Sequence, residues 1–340
     1  MSEISKANSR LAMSLSNALH FATLNLRFDS MPNNITVKQS IAALPDPLVR
    51  PTLFYDSVTT ERPWSTRRLP LWEQINFDHV DVIGFQEALV RQVNDLDQLF
   101  NLNTANAFDW VGVGREDGKD GGEFNPIFYR TSVYQLSETD TFWLSDPYNT
   151  PSIYPRANSK RICTVARLKP TNGVGKPLTF LNTHLDVTSE EARQYGASMI
   201  LYRARYEEYA LGATVIVTGD LNAQPFGSDK AAYEILTGVR PGVFINQTAF
   251  IDAYAVNSSA PPFALLDLRG KTAPLNVDGH WATFTGFSEV NNKTDYKRID
   301  YVFAGSNSNV KPEQYLVEEN LRDDGVYRSD HRLIVSSVQV

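Results

Sequence analysis

Acidic, amide and imidazole side chains recur along this chain at the ends of short apolar runs. The clearest case is Val215-Ile216-Val217-Thr218-Gly219-Asp220-Leu221-Asn222-Ala223-Gln224-Pro225, whose β-branched start reads as a buried strand that Pro225 terminates. Side chains alternate on extended backbone, so Asp220 and Asn222 emerge together while Leu221 turns the other way. A carboxylate beside a carboxamide can hold a metal ion, or a water it polarises, next to a phosphoryl oxygen. The same pair can also merely cap the following turn. What favours chemistry is the number of partners elsewhere. Glu87 ends Asp81-Val82-Ile83-Gly84-Phe85-Gln86-Glu87, His184 closes the run that starts at Leu178, Asp300 lies in Arg298-Ile299-Asp300-Tyr301-Val302-Phe303, and Ser329-Asp330-His331 leads into Leu333-Ile334-Val335.

These groups need strands that stop together and helices that return the chain. His20 to Phe28 alternates apolar and polar residues, a strand that carries Asn25 outward near its end. Asp29 to Arg62 has no periodicity and reads as a long loop or insertion. An amphipathic helix is expected over Leu71–Phe77, and helical spacing recurs over 88–100 at Leu89, Val93, Leu96 and Phe100. Trp110 begins a strand that runs into the glycine-rich stretch Gly114-Arg115-Glu116-Asp117-Gly118, which lacks a Gly-Lys-Ser/Thr phosphate loop and reads as a solvated turn. Glu123 opens the strand Phe124 to Arg130, and further strands are read over Lys160–Leu168, Leu178–Asp186 and His280–Thr285. Thr188-Ser189-Glu190-Glu191 is a capping sequence for a helix whose Tyr195, Met199 and Tyr202 are read as core packing.

Composition sets the frame. With 340 residues, 42% hydrophobic and 21% charged, the chain has enough apolar material for a sizeable core. A single domain over 18–340 is expected, preceded by a frayed arm at 1–17 that lacks the apolar stretch of a secretory signal. The net charge of −7 argues against a broad basic surface for nucleic acid. One cysteine, Cys163, excludes an internal disulfide and a cysteine-built zinc site. No segment is long and apolar enough to span a membrane, so a cytoplasmic or nuclear protein without an obligate protein partner is expected.

The blocks Thr-Leu-Asn25-Leu-Arg-Phe, Ile-Gly-Phe-Gln-Glu87, Asn-Thr-His184-Leu, Gly-Asp220-Leu-Asn222, Arg-Ile-Asp300-Tyr-Val-Phe and Ser-Asp330-His331 occur in the order of the endonuclease/exonuclease/phosphatase superfamily, which the chain resembles from about residue 20 to its end. The resemblance implies a DNase I-like α/β fold, a four-layer α/β/β/α sandwich of two packed mixed sheets with its site at the rim between them. Within it, the chain looks most like small stand-alone members related to the deadenylase and nocturnin branch.

A phosphoester is shielded by its own charge, so its hydrolysis needs a cation, an activated water and a proton for the leaving oxygen. The resemblance implies Glu87, with Asp220 and Asp330, as ligands for Mg²⁺ or Mn²⁺, which a hard carboxylate site favours. His331, oriented by Asp300, resembles the family's general base. Asp220 is a candidate for positioning the nucleophilic water. Asn25 and Asn222 are expected to donate to the phosphate, His184 to contact it or protonate the leaving group, Glu123 to orient His184, and Arg161 to contact phosphate. Plain alternatives are a helix N-terminal acid at Glu87 and an Asp300–Arg298 ion pair. The first expectation for activity is a 3′-5′ exonuclease or phosphodiesterase acting on RNA or nucleotides. The alternatives are a phosphatase of a small metabolite or inositol phosphate and a non-catalytic phosphate-binding module.

Overall fold

The computed structural model describes residues 18–50, 60–288 and 293–340; the arm expected at 1–17 and residues 51–59 of the expected insertion lie outside them. The chain opens with β1 (Leu19–Asn25), α1 (Val37–Ala42), α2 (Trp64–Phe77), β2 (Val82–Gln86) and α3 (Val90–Phe100). Four strands follow, β3 (Phe108–Val111), β4 (Ile127–Arg130), β5 (Tyr134–Trp143) and β6 (Ile162–Pro170). Then come β7 (Leu178–His184), α4 (Glu190–Tyr209) and β8 (Thr214–Asp220). Three short helices, α5 (Ala231–Leu236), α6 (Thr248–Ala253) and α7 (Leu268–Lys271), flank β9 (Leu265–Asp267), and β10 (Val277–Gly279), β11 (Asp300–Gly305), β12 (Lys311–Val317) and β13 (Ile334–Gln339) close the chain.

The strands form two mixed sheets, ordered β10-β12-β13-β1-β2-β4-β3 and β5-β6-β7-β8-β11-β9. An apolar cluster joins Phe21, Val82 and Ile334 of the first to Phe180, Ile216 and Val302 of the second. Helices cover the outer faces. Leu71 and Ile75 of α2 and Val93 and Leu96 of α3 pack on one sheet, and Met199 and Ile200 of α4 on the other. Four layers result, as the resemblance implies.

Each sheet is centred on a parallel pair. β1 lies beside β2, and β7 beside β8 with α4 as the crossover. Ser189 caps α4 by accepting from the Ala192 amide, where the capping sequence places it. Gly219 lets β8 close on β7, because a Cβ there would lie 2.3 Å from the Thr183 carbonyl oxygen. Polar residues fill the inter-sheet layer just below the rim. Asn182 Nδ2 donates to the Phe85 carbonyl at 2.7 Å, and Gln86 Nε2 donates to Asn182 Oδ1 at 2.7 Å.

Several local readings change. The strand read over His280–Thr285 is loop, with isolated β-bridges at Phe284 to Lys297 and His331 and backbone hydrogen bonds at His280, Thr283 and Thr285. β5 has no counterpart in the sequence reading because its exposed face carries charge and hydroxyl groups that break a simple alternation. Helix α2 starts at Trp64 and runs through Pro70; buried Arg68 anchors its first turns by pairing with Asp95 at 2.7 Å. The 29–62 stretch holds the short helix α1, closed by a Thr36–Gln39 capping box.

Asp78, which caps the C-terminus of α2, gives a stability prediction. Burial and then the Glu318 charge push its carboxyl up to about 6, and the negative end of the helix disfavours an anion there. The folded chain therefore holds this proton more tightly than the unfolded chain. Its contribution is favourable at low pH and is lost as pH rises through about 6. Discounted for partial exposure, the cost at pH 8 is about 1–2 kcal/mol. Asp78→Asn should raise stability at pH 8 by that amount in urea unfolding, with the gain shrinking at pH 5. Equal gains at both values would reject the assignment.

Candidate active site

Five strand ends meet at one rim between the sheets. β1 ends at Asn25, β2 just before Glu87, β7 at His184 and β8 at Asp220, while β11 starts at Asp300. The pairing aligns them, with His184 and Asp300 both directly opposite Asp220. Immediately past the strands the backbone turns through left-handed geometry at Arg27 (φ 56°), Glu87 (φ 58°) and Asn222 (φ 47°). Non-glycine residues adopt it only under constraint. All three line one cavity of about 650 Å³. Arg67 ties the first of these turns to the segment that leads into Asp330 and His331. Its buried guanidinium donates to the carbonyls of Leu26, Arg27 and Arg328 at 2.7, 3.1 and 3.0 Å.

His331 and Asp300 form a buried dyad. Nδ1 of His331 lies 2.9 Å from Asp300 Oδ2 and 3.1 Å from Oδ1. Thr283 Oγ1 fixes the strand entry by accepting from the Ile299 and Asp300 amides, both at 3.0 Å. Arg298 pairs with Asp267, leaving Asp300 to the imidazole. With Nδ1–H directed at Asp300, Nε2 is the face turned to Asp220, 3.7 Å from its Oδ2. Burial alone would lower the His331 pKa, but the charge and hydrogen bond of Asp300, helped by Asp330 and Asp220, raise it to about 10.

The acidic groups sit around Asn25. Its Nδ2 donates to Glu87 Oε1 at 3.0 Å and to Asp220 Oδ2 at 3.1 Å, and its Oδ1 accepts from the Arg27 amide. Both amide hydrogens are thus engaged, so Asn25 spaces the two carboxylates instead of donating to phosphate as the sequence suggested. Burial, and then Asp300, push the Asp220 carboxyl up to about 7, and burial raises Asp330 too. Oxygen donors that resist ionisation because they are buried together fit a hard cation, and Cys163 is buried in the core away from them. Among the described residues, ligand atoms of Asp220, Asp300 and His331 lie within 4.8 Å of one another. Asp300 has both oxygens on His331, whereas Glu87, Asp220 and Asp330 line the cavity.

On the other wall, His184 Nε2 accepts from Asn222 Nδ2 at 2.9 Å and lies 3.6 Å from Asp220 Oδ2. Asn222 Nδ2 also donates to the Leu185 carbonyl, which fixes its amide orientation and leaves the proton of a neutral His184 on Nδ1. That nitrogen is buried without a hydrogen-bond partner. Burial, then Arg161 and Arg115, hold the His184 pKa well below its ordinary value. Glu123 does not orient this ring. It pairs with Arg115 Nη1 at 2.7 Å, because the glycine-rich loop folds back and is pinned by Trp143 Nε1 on the Arg115 carbonyl at 2.9 Å. Arg161 lines the cavity with Nε and Nη1 buried and unbonded; Asp186, 3.7 Å away, is its nearest acid.

Arg115, read from sequence as part of a solvated turn, is therefore a wall residue. Arg27, Phe284 and Lys297 also line the cavity. Phe284 packs edge-on against the His331 ring with centroids 4.9 Å apart. Arg27 adjoined the Asn25 block and was legible as a neighbour; Phe284 and Lys297 carried no signal.

A model of the Endonuclease/Exonuclease/phosphatase family matches residues 22–331. An endonuclease/exonuclease/phosphatase from Bacteroides vulgatus superposes with a TM-score of 0.70 at 26% identity, over 95% of this chain and 99% of its own. A mannosyl-6-phosphatase from Bacteroides thetaiotaomicron gives 0.66 at 23% identity, over 94% and 99%. The human Nocturnin catalytic domain gives 0.56 at 12% identity, over 94% of each chain. At these identities the last two are similar in fold alone. No curated protein sequence matches the chain.

Proposed function

Because the chain belongs to the endonuclease/exonuclease/phosphatase family, whose members hydrolyse phosphoesters, we propose that this cavity cleaves the phosphate monoester of a small molecule. Glu87, Asp330 and Asp220 would hold a divalent cation there, Mg²⁺ or Mn²⁺ by their donor chemistry. Such an ion neutralises non-bridging oxygens and lowers the pKa of water. His331 Nε2 takes the proton of the attacking water, and Asp300 stabilises the imidazolium that forms. Asp220 orients that water from its place between the two imidazoles. His184 stays neutral, held by Asn222 in the Nδ1–H tautomer, and walls the site beside Asp220 without adding charge.

The observation that carries the monoester reading is Arg161, a buried guanidinium that lines a cavity of about 650 Å³ and has Nε and Nη1 without hydrogen-bond partners. A terminal phosphate dianion meets that demand for charge, and the volume suits one small ligand. An acidic chain of net charge −7 offers little attraction to a polyanion. A phosphodiesterase acting on RNA or nucleotides is the second reading, favoured by the exposed aromatic pair Phe226 and Trp281, on which bases can stack. Parallel assays with Mg²⁺ on sugar phosphates, inositol phosphates, a nucleotide 2′-phosphate, oligo(A), single-stranded DNA and an aryl phosphodiester separate them. Release of inorganic phosphate from small esters, with the polymers left intact, is expected. Shortening of oligo(A) without phosphate release would replace the reading, and no turnover of any ester would leave a binding module.

A further inference from the structure

Phe226 and Trp281 keep 52% and 50% of their surface in solvent, and the proposed hydrolysis uses neither. Their rings are 19° from parallel with centroids 6.4 Å apart. That is the range of ring–ring interaction, so the pair presents apolar ring surface together at one place. Both rings stand on segments that build the cavity wall. Phe226 lies between Asn222 and Asp229, and Trp281 shortly precedes Phe284, all three of these neighbours being lining residues.

The platform is braced from behind. Arg269 Nη1 donates to the His280 carbonyl at 3.1 Å and Arg332 Nη1 to the Ala282 carbonyl at 3.2 Å, securing the backbone on each side of Trp281. The guanidinium groups of Arg269 and Arg298 lie 5.2 and 5.4 Å from the Trp281 ring centroid. Arg298 is itself locked by two hydrogen bonds to Asp267, of 2.8 and 2.7 Å. A ring fixed in this way loses little freedom when a ligand settles on it. Asp229 and Lys297 line the cavity whose wall these two segments build, and among the described residues their side chains make no hydrogen bond or ion pair.

Resting on the monoester reading, we propose that Phe226 and Trp281 form the leaving-group subsite and that the group it takes is a pyranose ring. The apolar C–H face of a sugar lies on the aromatic surface, while Asp229 accepts from vicinal hydroxyls and Lys297 donates to one. A nucleobase would share the stacking, and the nucleotide comparison in the test separates the two.

The test compares kcat/KM for mannose 6-phosphate and glycerol phosphate in wild type, Trp281→Ala, Phe226→Ala, Trp281→Phe and the remote control Phe244→Ala. Preference for the sugar ester should fall at least tenfold in the two alanine variants through KM, return in Trp281→Phe, and stay unchanged in the control. Preference unmoved by Trp281→Ala, or lost for a nucleotide instead of the sugar, overturns the proposal. Binding of mannose 6-phosphate, followed by stopped-flow tryptophan fluorescence in the presence of Mg²⁺ before the first turnover, supplies a readout separate from hydrolysis. Binding that vanishes in Phe226→Ala supports the subsite even if the wild type cleaves only polymers, in which case the monoester reading alone fails. Absence of any binding to wild type overturns the subsite whatever is hydrolysed.

Discussion

His331→Ala is expected to lower kcat by about a hundredfold or more on whichever ester the enzyme prefers, with KM changing little. The ring is buried and its Nδ1 lies 2.9 Å from Asp300 Oδ2, so its loss removes the proton acceptor and also leaves Asp300 without its partner. An unpaired buried carboxylate is destabilising, and the alanine variant alone cannot separate a lost base from a loosened fold. His331→Gln keeps a polar group near Asp300 and should lose turnover to a similar degree with a smaller drop in Tm. Asp300→Asn keeps the packing but cannot stabilise a positive imidazole. It should cost at least tenfold in kcat and lower the His331 pKa, since the Asp300 charge and hydrogen bond are what raise it against the effect of burial. Turnover close to wild type in His331→Gln would reject the base assignment, whatever the stability of the variant.

The strand ends were readable because they depend on local rules. β-branched runs stopped by Gly or Pro mark strands, and alternation tells which side chains leave together. Asp220 opposite both His184 and Asp300 in register is a consequence of that rule, repeated along the chain. Contacts across the sheets were not readable. Nothing near Glu123 in sequence shows that Arg115 takes its carboxylate at 2.7 Å and keeps it from His184. Nor does the Asn25 block reveal that its amide lies between Glu87 and Asp220, since the three come from separate strands. The exposed aromatic pair was invisible for the same reason, as Phe226 and Trp281 are 55 positions apart in the chain and meet only once β8 and the loop after β10 are in place. Local pattern gives a residue's address; which neighbour uses its last hydrogen bond is decided by packing.

Glu87→Gln is expected to abolish most activity and, more directly, to remove cation binding. Wild-type Tm should rise with added Mg²⁺ or Mn²⁺, because an ion bound only to the folded chain stabilises it in proportion to the logarithm of its saturation, about 2.7 kcal/mol at a hundred times Kd. The rise should be large for this site, since burial, with the charge of Asp300 on Asp220 and of Glu87 on Asp330, already raises both carboxyls and a cation relieves these costs. Removing one donor oxygen charge should shift the midpoint of the Tm response to at least tenfold higher Mg²⁺. Activity should vanish with excess chelator and return with either ion. Full activity in chelator, or a Tm in Glu87→Gln that follows Mg²⁺ as in wild type, would eliminate the assignment. The two largest effects are physically linked. The charges of Asp300, Asp330 and Asp220 hold His331 protonated, with its pKa near 10, and a base must be neutral to accept a proton. Positive charge placed among Glu87, Asp220 and Asp330 opposes two of those three anions, so NMR titration of the His331 ring should give a lower pKa with Mg²⁺ than without it. In Glu87→Gln that difference should disappear at the same Mg²⁺ concentration, which ties the loss of turnover to a base left in its protonated form.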